Sequence, residues 1–196
     1  MRLAISYFLP DVKVLYTPSS HVDKFCYIKK ADRGEKYLIQ FRPMTTQAEA
    51  EQVMQMMAGL YQEDPASHQP DRAHFEKTIT LFLQNPSRGV CYLFTSDDPA
   101  DIHSAGMPAV LGYALVVPYW SNEFGGDLVF IDELFVSPQA RGRGIARGFI
   151  QELIAKQNQH AAALALEVTP QNSRARKLYE SMGFETRKNS VMIRRW

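Results

Sequence analysis

Apolar residues recur along the chain with two spacings, every second residue in some segments and every third or fourth in others. The first spacing and buried apolar runs predict strands at 37–42, 90–95, 109–117, 128–136, 164–168 and 190–193. The second spacing predicts helices after Thr46 and Pro70 and over residues 145–157 and 173–182. Because strands and helices mingle along the chain, we expect a mixed α/β sheet.

Capping residues mark where the first two helices begin. Thr46-Gln47-Ala48-Glu49 forms a capping box, and Pro65 is expected to end the helix that follows it. Pro70-Asp71 begins the second helix. The residues predicted to be buried on these helices are Val53, Met56, Met57, Leu60, Tyr61, Phe75, Ile79 and Phe82.

The first 36 residues stand apart from this succession of elements. Val12–Tyr16 is strand-like, and Lys29–Gly34 has the composition of a linker. We expect residues 1–36 to be an extension without catalytic function, and the pattern leaves open whether it is ordered or supports a homodimer. Residues 37–196 are expected to form a single domain.

Composition excludes several classes of protein. At 196 residues and 45% hydrophobic content, the chain is long enough to bury a core without metal or disulfide support. With 22 Lys+Arg against 21 Asp+Glu, nothing favours nucleic acid or an anionic membrane as partner. Two cysteines without metal-ligand spacing and the lack of a run of about 18 apolar residues predict a cytoplasmic protein with reduced thiols and no metal site.

A glycine-rich segment, 136–146, joins the predicted strand 128–136 to the predicted helix 145–157. The first N–H groups of a helix lack intrahelical partners and carry the positive end of the helix dipole, so such a junction suits phosphate. Gly142 and Gly144 leave these groups accessible, and Arg141 and Arg143 add positive charge.

The spacing of this segment identifies the kind of phosphate loop. It lacks the Gly-Lys-Ser/Thr of a P-loop, and a dinucleotide fingerprint would need glycine at position 147, which is arginine. Arg141, Gly144 and Ala146 instead fit [Q/R]-x-x-G-x-[G/A]. This pattern resembles the acetyl-CoA pyrophosphate loop of the GNAT superfamily of N-acetyltransferases.

A second motif follows the predicted strand 164–168. Residues 172–184 fit N-x-x-A-x-x-L-Y-x-x-x-G-F at every fixed position and resemble the other hallmark of the GNAT superfamily. Asn172 is expected to cap the helix and Gly183 to end it in a left-handed conformation. Two motifs in this order imply that residues 37–196 form a GNAT domain, whose central mixed sheet has helices on both faces.

The resemblance implies acetyl-CoA as co-substrate. The backbone of Phe135 and Val136 is expected to pair with the pantetheine arm where two parallel strands part, and an N–H near Val136 to polarise the thioester carbonyl. Asn172 is expected either to contact the arm or only to cap its helix. The residues expected to bind acetyl-CoA are Phe135, Val136, Arg141, Gly142, Arg143, Gly144, Ile145, Ala146 and Asn172.

The resemblance also implies catalytic roles. Tyr179 matches the motif tyrosine that would protonate the leaving thiolate, and the alternative is a purely structural aromatic. Asp132 and Glu133 lie on the strand that enters the loop, and alternation would send them to opposite faces. One of them is expected to serve as the base. The resemblance favours Asp132 for this role and gives Glu133 a structural alternative, while either could instead orient a loop.

The acceptor site is expected between the first two helices and the hairpin 117–126. Tyr61, Glu63, Trp120 and Glu123 combine aromatic rings with carboxylates, which suits a cationic amine, although exposed carboxylates are often only solvated. These features favour acetyl transfer to a primary amine of a small molecule. The alternatives are a protein or peptide acetyltransferase acting on an N-terminus or lysine, and a non-catalytic acetyl-CoA-binding regulatory module.

Overall fold

The computed structural model describes residues 12–14, 25–30, 36–65, 68–101, 109–157 and 160–194. Its helices are α1 (Gln47–Glu63), α2 (Arg72–Gln84), α3 (Ile145–Gln157) and α4 (Ser173–Glu180). Its strands are β1 (Val12–Val14), β2 (Phe25–Lys30), β3 (Lys36–Pro43), β4 (Val90–Ser96), β5 (Val110–Ser121), β6 (Gly126–Val136) and β7 (Ala163–Leu166).

The strands form one sheet in the order β1-β2-β3-β4-β5-β6-β7. Neighbouring strands are antiparallel from β1 to β6, whereas β6 and β7 are parallel. The parallel pair requires a crossover connection, which α3 supplies. The predicted mixed α/β sheet is confirmed.

Helices cover both faces of this sheet. Phe149 of α3 packs on one face with Phe41, Phe94 and neighbouring apolar side chains. Met57 of α1 packs on the other face in a second cluster, which also contains residues of α2. A sheet that is buried on both faces needs apolar residues at successive positions, which explains the nearly unbroken apolar runs of β4 and β5.

The predicted helix starts are confirmed. The Glu49 N–H donates to Thr46 Oγ1 at 3.3 Å, and the Thr46 N–H donates to Glu49 Oε2 at 3.1 Å. Asp71 caps α2 by accepting from the His74 N–H at 3.1 Å. Helix α1 ends at Glu63, two residues before the predicted stop at Pro65.

The predicted strand at 190–193 is wrong. Val191, Met192 and Ile193 have no regular structure and are 75%, 95% and 80% exposed. An isolated strand leaves its backbone groups unpaired, and here no described strand pairs with these residues. Three successive apolar residues after Ser190 therefore do not specify a strand by their local pattern alone.

The N-terminal segment takes part in the sheet where it is described. The strand predicted within 12–16 is observed at Val12–Val14, and Lys29 and Lys30, predicted to begin a linker, lie in β2. β2 pairs with β3 from Phe25↔Phe41 to Lys30↔Lys36. Residues 31–34 of the predicted linker lie outside the described residues, and the division of the chain at residue 37 stays a prediction.

The described helices include none that combines the length and the apolar character needed to cross a membrane.

The aromatic cluster under α3 gives a prediction on stability. Phe149 is fully buried, with its ring centroid 5.5 Å from that of Phe41 and 4.9 Å from that of Phe94. Phe149→Ala removes these contacts and leaves a cavity, so we expect the free energy of unfolding in urea to fall by about 3–5 kcal/mol. The same change at the exposed Phe124 is the control, and an equal loss at both positions would contradict the prediction.

Candidate functional site

The site lies where β6 and β7 part. Their pairing runs only from Leu128↔Ala163 to Ile131↔Leu166, whereas β6 continues to Val136. Beyond Ile131, β6 is paired on its other edge alone, with β5. The backbone groups that β6 directs away from β5 therefore line a cleft, in which an extended ligand can pair with them.

A β-bulge lies at the mouth of this cleft. Leu115 pairs with Glu133 but Val116 pairs with Ile131, so Asp132 is an extra residue in β6. Ile131 packs in the cluster on the α3 face, whereas Phe135 packs in the cluster on the α1 and α2 face. The uninterrupted alternation that the sequence predicts through Asp132 and Glu133 is therefore not observed.

Glu133 is held by two tyrosines. The Tyr61 hydroxyl donates to its Oε1 at 2.7 Å, and the Tyr113 hydroxyl donates to its Oε2 at 2.7 Å. Burial raises the pKa of Glu133, the two hydroxyl donors oppose this rise, and the charge of Asp132 adds to it. The pKa values of both phenols are also raised, by burial and by the charge of Glu133, so both remain donors.

Asp132 has a different setting. The residue as a whole is exposed. Partial burial of its carboxylate, and then the negative charge of Glu167, raise the pKa of Asp132. Of the two predicted bases, Glu133 alone is anchored by hydrogen bonds on the side of α1. Sequence reasoning missed Tyr113, although a tyrosine inside a buried apolar strand signals a hydroxyl in need of a partner.

The glycine-rich loop has the geometry of an anion site. Gly142 and Gly144 have φ values of +80° and +75°, and an added Cβ at Gly142 would meet nothing within 4 Å, so conformation alone favours glycine there. The Gly148 N–H donates to the Gly144 carbonyl at 2.9 Å. The amides of Ile145, Ala146 and Arg147 precede this bond at the positive end of α3.

The two loop arginines are already paired. Arg141 donates to the Val136 carbonyl at 2.8 Å and to Glu63 Oε2 at 2.6 Å. Arg143 donates to both carboxylate oxygens of Asp101 at 2.8 and 2.6 Å. The positive charge predicted for the loop is therefore partly neutralised by carboxylates, and anion binding by its backbone amides stays a prediction.

Tyr179 of α4 packs against the hydrophobic cluster on the α3 face of the sheet. Its ring packs against Phe184, with 5.9 Å between the centroids. Burial first, and then the negative charge of Asp64, raise the pKa of Tyr179 and keep the phenol protonated. The predicted left-handed Gly183 is confirmed at φ +87°, and the Phe184 N–H donates to the Tyr179 carbonyl at 3.1 Å in the bond typical of a Schellman motif.

Asn172 uses both ends of its side-chain amide. Its Oδ1 accepts from the Ala175 N–H at 3.1 Å, which confirms the predicted helix cap. Its Nδ2 donates to Asp64 Oδ2 at 3.2 Å. A contact between Asn172 and a bound ligand stays a prediction.

The four residues predicted to bind the acceptor are not brought together. Tyr61 contacts Glu133, and Glu63 is bound to the loop residue Arg141. Trp120 pairs across the sheet with Asp127, which is six residues, or about 20 Å, along β6 from Glu133. Glu123, in the hairpin between β5 and β6, forms an ion pair with Arg187. Contact of Trp120 and Glu123 with an acceptor stays a prediction.

A cavity of about 400 Å³ lies between α1 and α2. Its apolar lining includes Met54, Ala58, Tyr61 and Phe75. Since Tyr61 also binds Glu133, the cavity adjoins the carboxylate through that side chain.

Comparison with known proteins was made in sequence and in structure. The model of the Acetyltransferase (GNAT) family matches residues 53–184. No curated protein gives a significant match. A possible acetyltransferase from Clostridium difficile 630 superposes with a TM-score of 0.64 at 17% identity, covering 81% of this chain and 97% of that one.

Two further solved structures share the fold. A ribosomal-protein-alanine N-acetyltransferase from Brucella melitensis biovar Abortus 2308 has a TM-score of 0.56 at 19% identity, with 80% of this chain and 98% of that chain covered. An aminoglycoside N-acetyltransferase in complex with CoA has a TM-score of 0.55 at 20% identity, with 80% and 94% covered. These identities establish a common fold alone.

The tyrosines around Glu133 give a prediction on its ionisation. The Tyr113 hydroxyl stabilises the charged carboxylate, so Tyr113→Phe should raise the pKa of Glu133 further. The measurement is an NMR titration of carboxyl-labelled glutamate. Tyr119→Phe, an exposed position on the same strand, is the control and should leave the titration unchanged; an unchanged or lowered pKa in Tyr113→Phe would refute the assignment.

Proposed function

Because this chain belongs to the GNAT family of acetyltransferases, we propose that it transfers the acetyl group of acetyl-CoA to a primary amine of a small molecule. The observation that carries this proposal is the cleft between β6 and β7, which opens beside the glycine-rich loop at the start of α3. That arrangement offers backbone pairing for an extended arm and amide donors for a diphosphate within one continuous surface.

Acetyl-CoA is held through the backbone in this proposal. The amides of Ile145, Ala146 and Arg147 bind the diphosphate, and the open edge of β6 pairs with the pantetheine arm. Successive residues of a strand direct their N–H groups to opposite edges, so one of Phe135 and Val136 presents its N–H to the cleft. That N–H polarises the thioester carbonyl.

Glu133 is the proposed base. An alkyl amine is protonated at neutral pH and must lose a proton before it attacks. Burial raises the pKa of Glu133 toward neutral pH, and a general base works best when its pKa lies near the pH of the reaction. The hydroxyls of Tyr61 and Tyr113 fix the orientation of the carboxylate. Exposed Asp132 lacks comparable anchoring.

Tyr179 is the proposed acid. The amine nitrogen forms a bond to the carbonyl carbon, the carbon–sulfur bond breaks, and the departing thiolate receives a proton from the phenol. Before attack the ammonium loses one proton to the base, and this proton passes to solvent. After attack the nitrogen loses a second proton, which balances the one given to sulfur, so the products are an amide, CoA and one released proton. The protonated state of Tyr179 is favoured by its burial and by the charge of Asp64.

The cavity between α1 and α2 is the proposed acceptor site. It adjoins Glu133 through Tyr61, and its volume of about 400 Å³ suits a small molecule. Its described lining contains no carboxylate, so the cavity itself gives no support to the cationic acceptor expected from Glu63 and Glu123.

The first test measures release of the CoA thiol from acetyl-CoA over a panel of small primary amines and a panel of peptides. We expect release with at least one small amine, together with a heat of acetyl-CoA binding in calorimetry. Release with peptides alone would replace the small molecule by a protein acceptor. Binding without release would favour a regulatory module, and no heat of binding would end the enzymatic proposal.

Tyr179→Phe tests the acid. Loss of general acid catalysis should lower kcat by about 100-fold or more, while the Kd for acetyl-CoA stays the same because backbone groups bind the donor. The measurement compares steady-state kinetics with calorimetry. Tyr119→Phe serves as the matched control, and a Tyr179→Phe enzyme with the wild-type kcat would exclude the role.

A further inference from the structure

Asp64, the C-cap residue directly after α1, lies against the segment between β7 and α4. Asp64 caps α1, and its N–H donates to the Leu60 carbonyl at 2.8 Å. Its carboxylate accepts from Thr169 Oγ1 at 2.8 and 3.0 Å and from Asn172 Nδ2 at 3.2 Å. One carboxylate therefore joins two parts of the chain that are more than a hundred residues apart.

The contacts of Asp64 with Thr169 and Asn172, called the junction below, are connected through α4 to Tyr179, the proposed acid. Asn172, which donates to Asp64, also caps α4 through the Ala175 N–H. Helix α4 carries Tyr179, while α1 carries Tyr61 on the acceptor side. The position of the phenol relative to the acceptor thus depends on how α1 and α4 are fixed to each other.

We propose that Asp64 is a positioning residue for the transfer reaction. It ties the end of α1 to Thr169 and Asn172 and so sets the placement of Tyr179 relative to the acceptor. This inference rests on the proposed function. The hydroxyl and the amide that bind this carboxylate are uncharged, so the two bonds position it without adding a charge of their own.

Other charged groups around this junction are engaged elsewhere. Glu63, next to Asp64 on α1, is paired with Arg141 of the loop. Glu167, at the end of β7, acts on Asp132. Asp64 is the charge that acts on the phenol of Tyr179, so removing it should make the phenol easier to ionise.

Asp64→Asn is the first variant. The change removes the negative charge of residue 64 and replaces one of its two carboxylate oxygens by an NH2 group, which cannot accept a hydrogen bond from Asn172 or Thr169. We expect kcat to fall about tenfold, the factor that corresponds to loss of a hydrogen bond to a charged group, with the Kd for acetyl-CoA unchanged. The pKa of Tyr179 should fall, so the alkaline limb of the kcat profile should move to lower pH.

Thr169→Val separates geometry from charge. It removes the two close contacts of the Thr169 hydroxyl but leaves the carboxylate in place, so kcat should fall while the alkaline limb stays where it is. Glu180→Gln is the matched control, since this exposed carboxylate lies on α4 next to Tyr179 in sequence. It should leave both kcat and the pH profile unchanged.

Titration of Tyr179 by NMR of ring-labelled tyrosine gives a readout that needs no activity. A lower pKa for Tyr179 in Asp64→Asn supports the placement of Asp64 beside the phenol even if the wild-type protein releases no thiol; in that case the transfer reaction fails and the electrostatic effect of Asp64 on Tyr179 stands. An active wild-type enzyme with unchanged kcat in both variants overturns the inference. An unchanged Tyr179 pKa in a folded Asp64→Asn protein overturns it as well, as does a fall in kcat that the Glu180→Gln control shares.

Discussion

The parallel strands β6 and β7 pair over only four residues each, and the cleft exists because this pairing is so short. Directly after the last pair, the bulge at Asp132 adds a residue to β6 and strengthens the local twist. The two strands then separate, and β6 extends to Val136 with one edge open. Apart from the Val136 carbonyl, which accepts from Arg141, the backbone groups along this edge have no strand partner in the described part of the chain, so the sheet forms a cleft through its backbone.

Local signals made much of the fold predictable. The capping pairs of Thr46 with Glu49 and of Asn172 with Ala175 act within a few residues, so the sequence alone reveals them. The left-handed conformation of Gly183 was likewise predictable from its place at the end of the second motif. The segment 190–193 shows the opposite case, because a strand depends on a neighbour that no local pattern supplies.

The parts of the site that escaped prediction depend on register and on distant contacts. A one-residue bulge cannot be seen in the alternation around Asp132 and Glu133, yet it changes the face that follows. The pairing of Glu133 with Tyr113 joins two strands, and the separation of Trp120 from Glu133 follows from the length of β6. The hydrogen bond from Arg141 to Glu63 joins residues 78 positions apart, and the spacing of a motif does not predict such a contact.

The Asn172 side-chain amide both donates and accepts a hydrogen bond, and this restricts which residue types can occupy position 172. Aspartate would still cap α4 but would set a second negative charge against Asp64, and serine would cap the helix with too short a side chain to reach across. Alanine would lose both bonds at once. Only a side chain with one donor and one acceptor on the same short stem satisfies both neighbours, so the asparagine of this helix start is selected by the junction as much as by the helix.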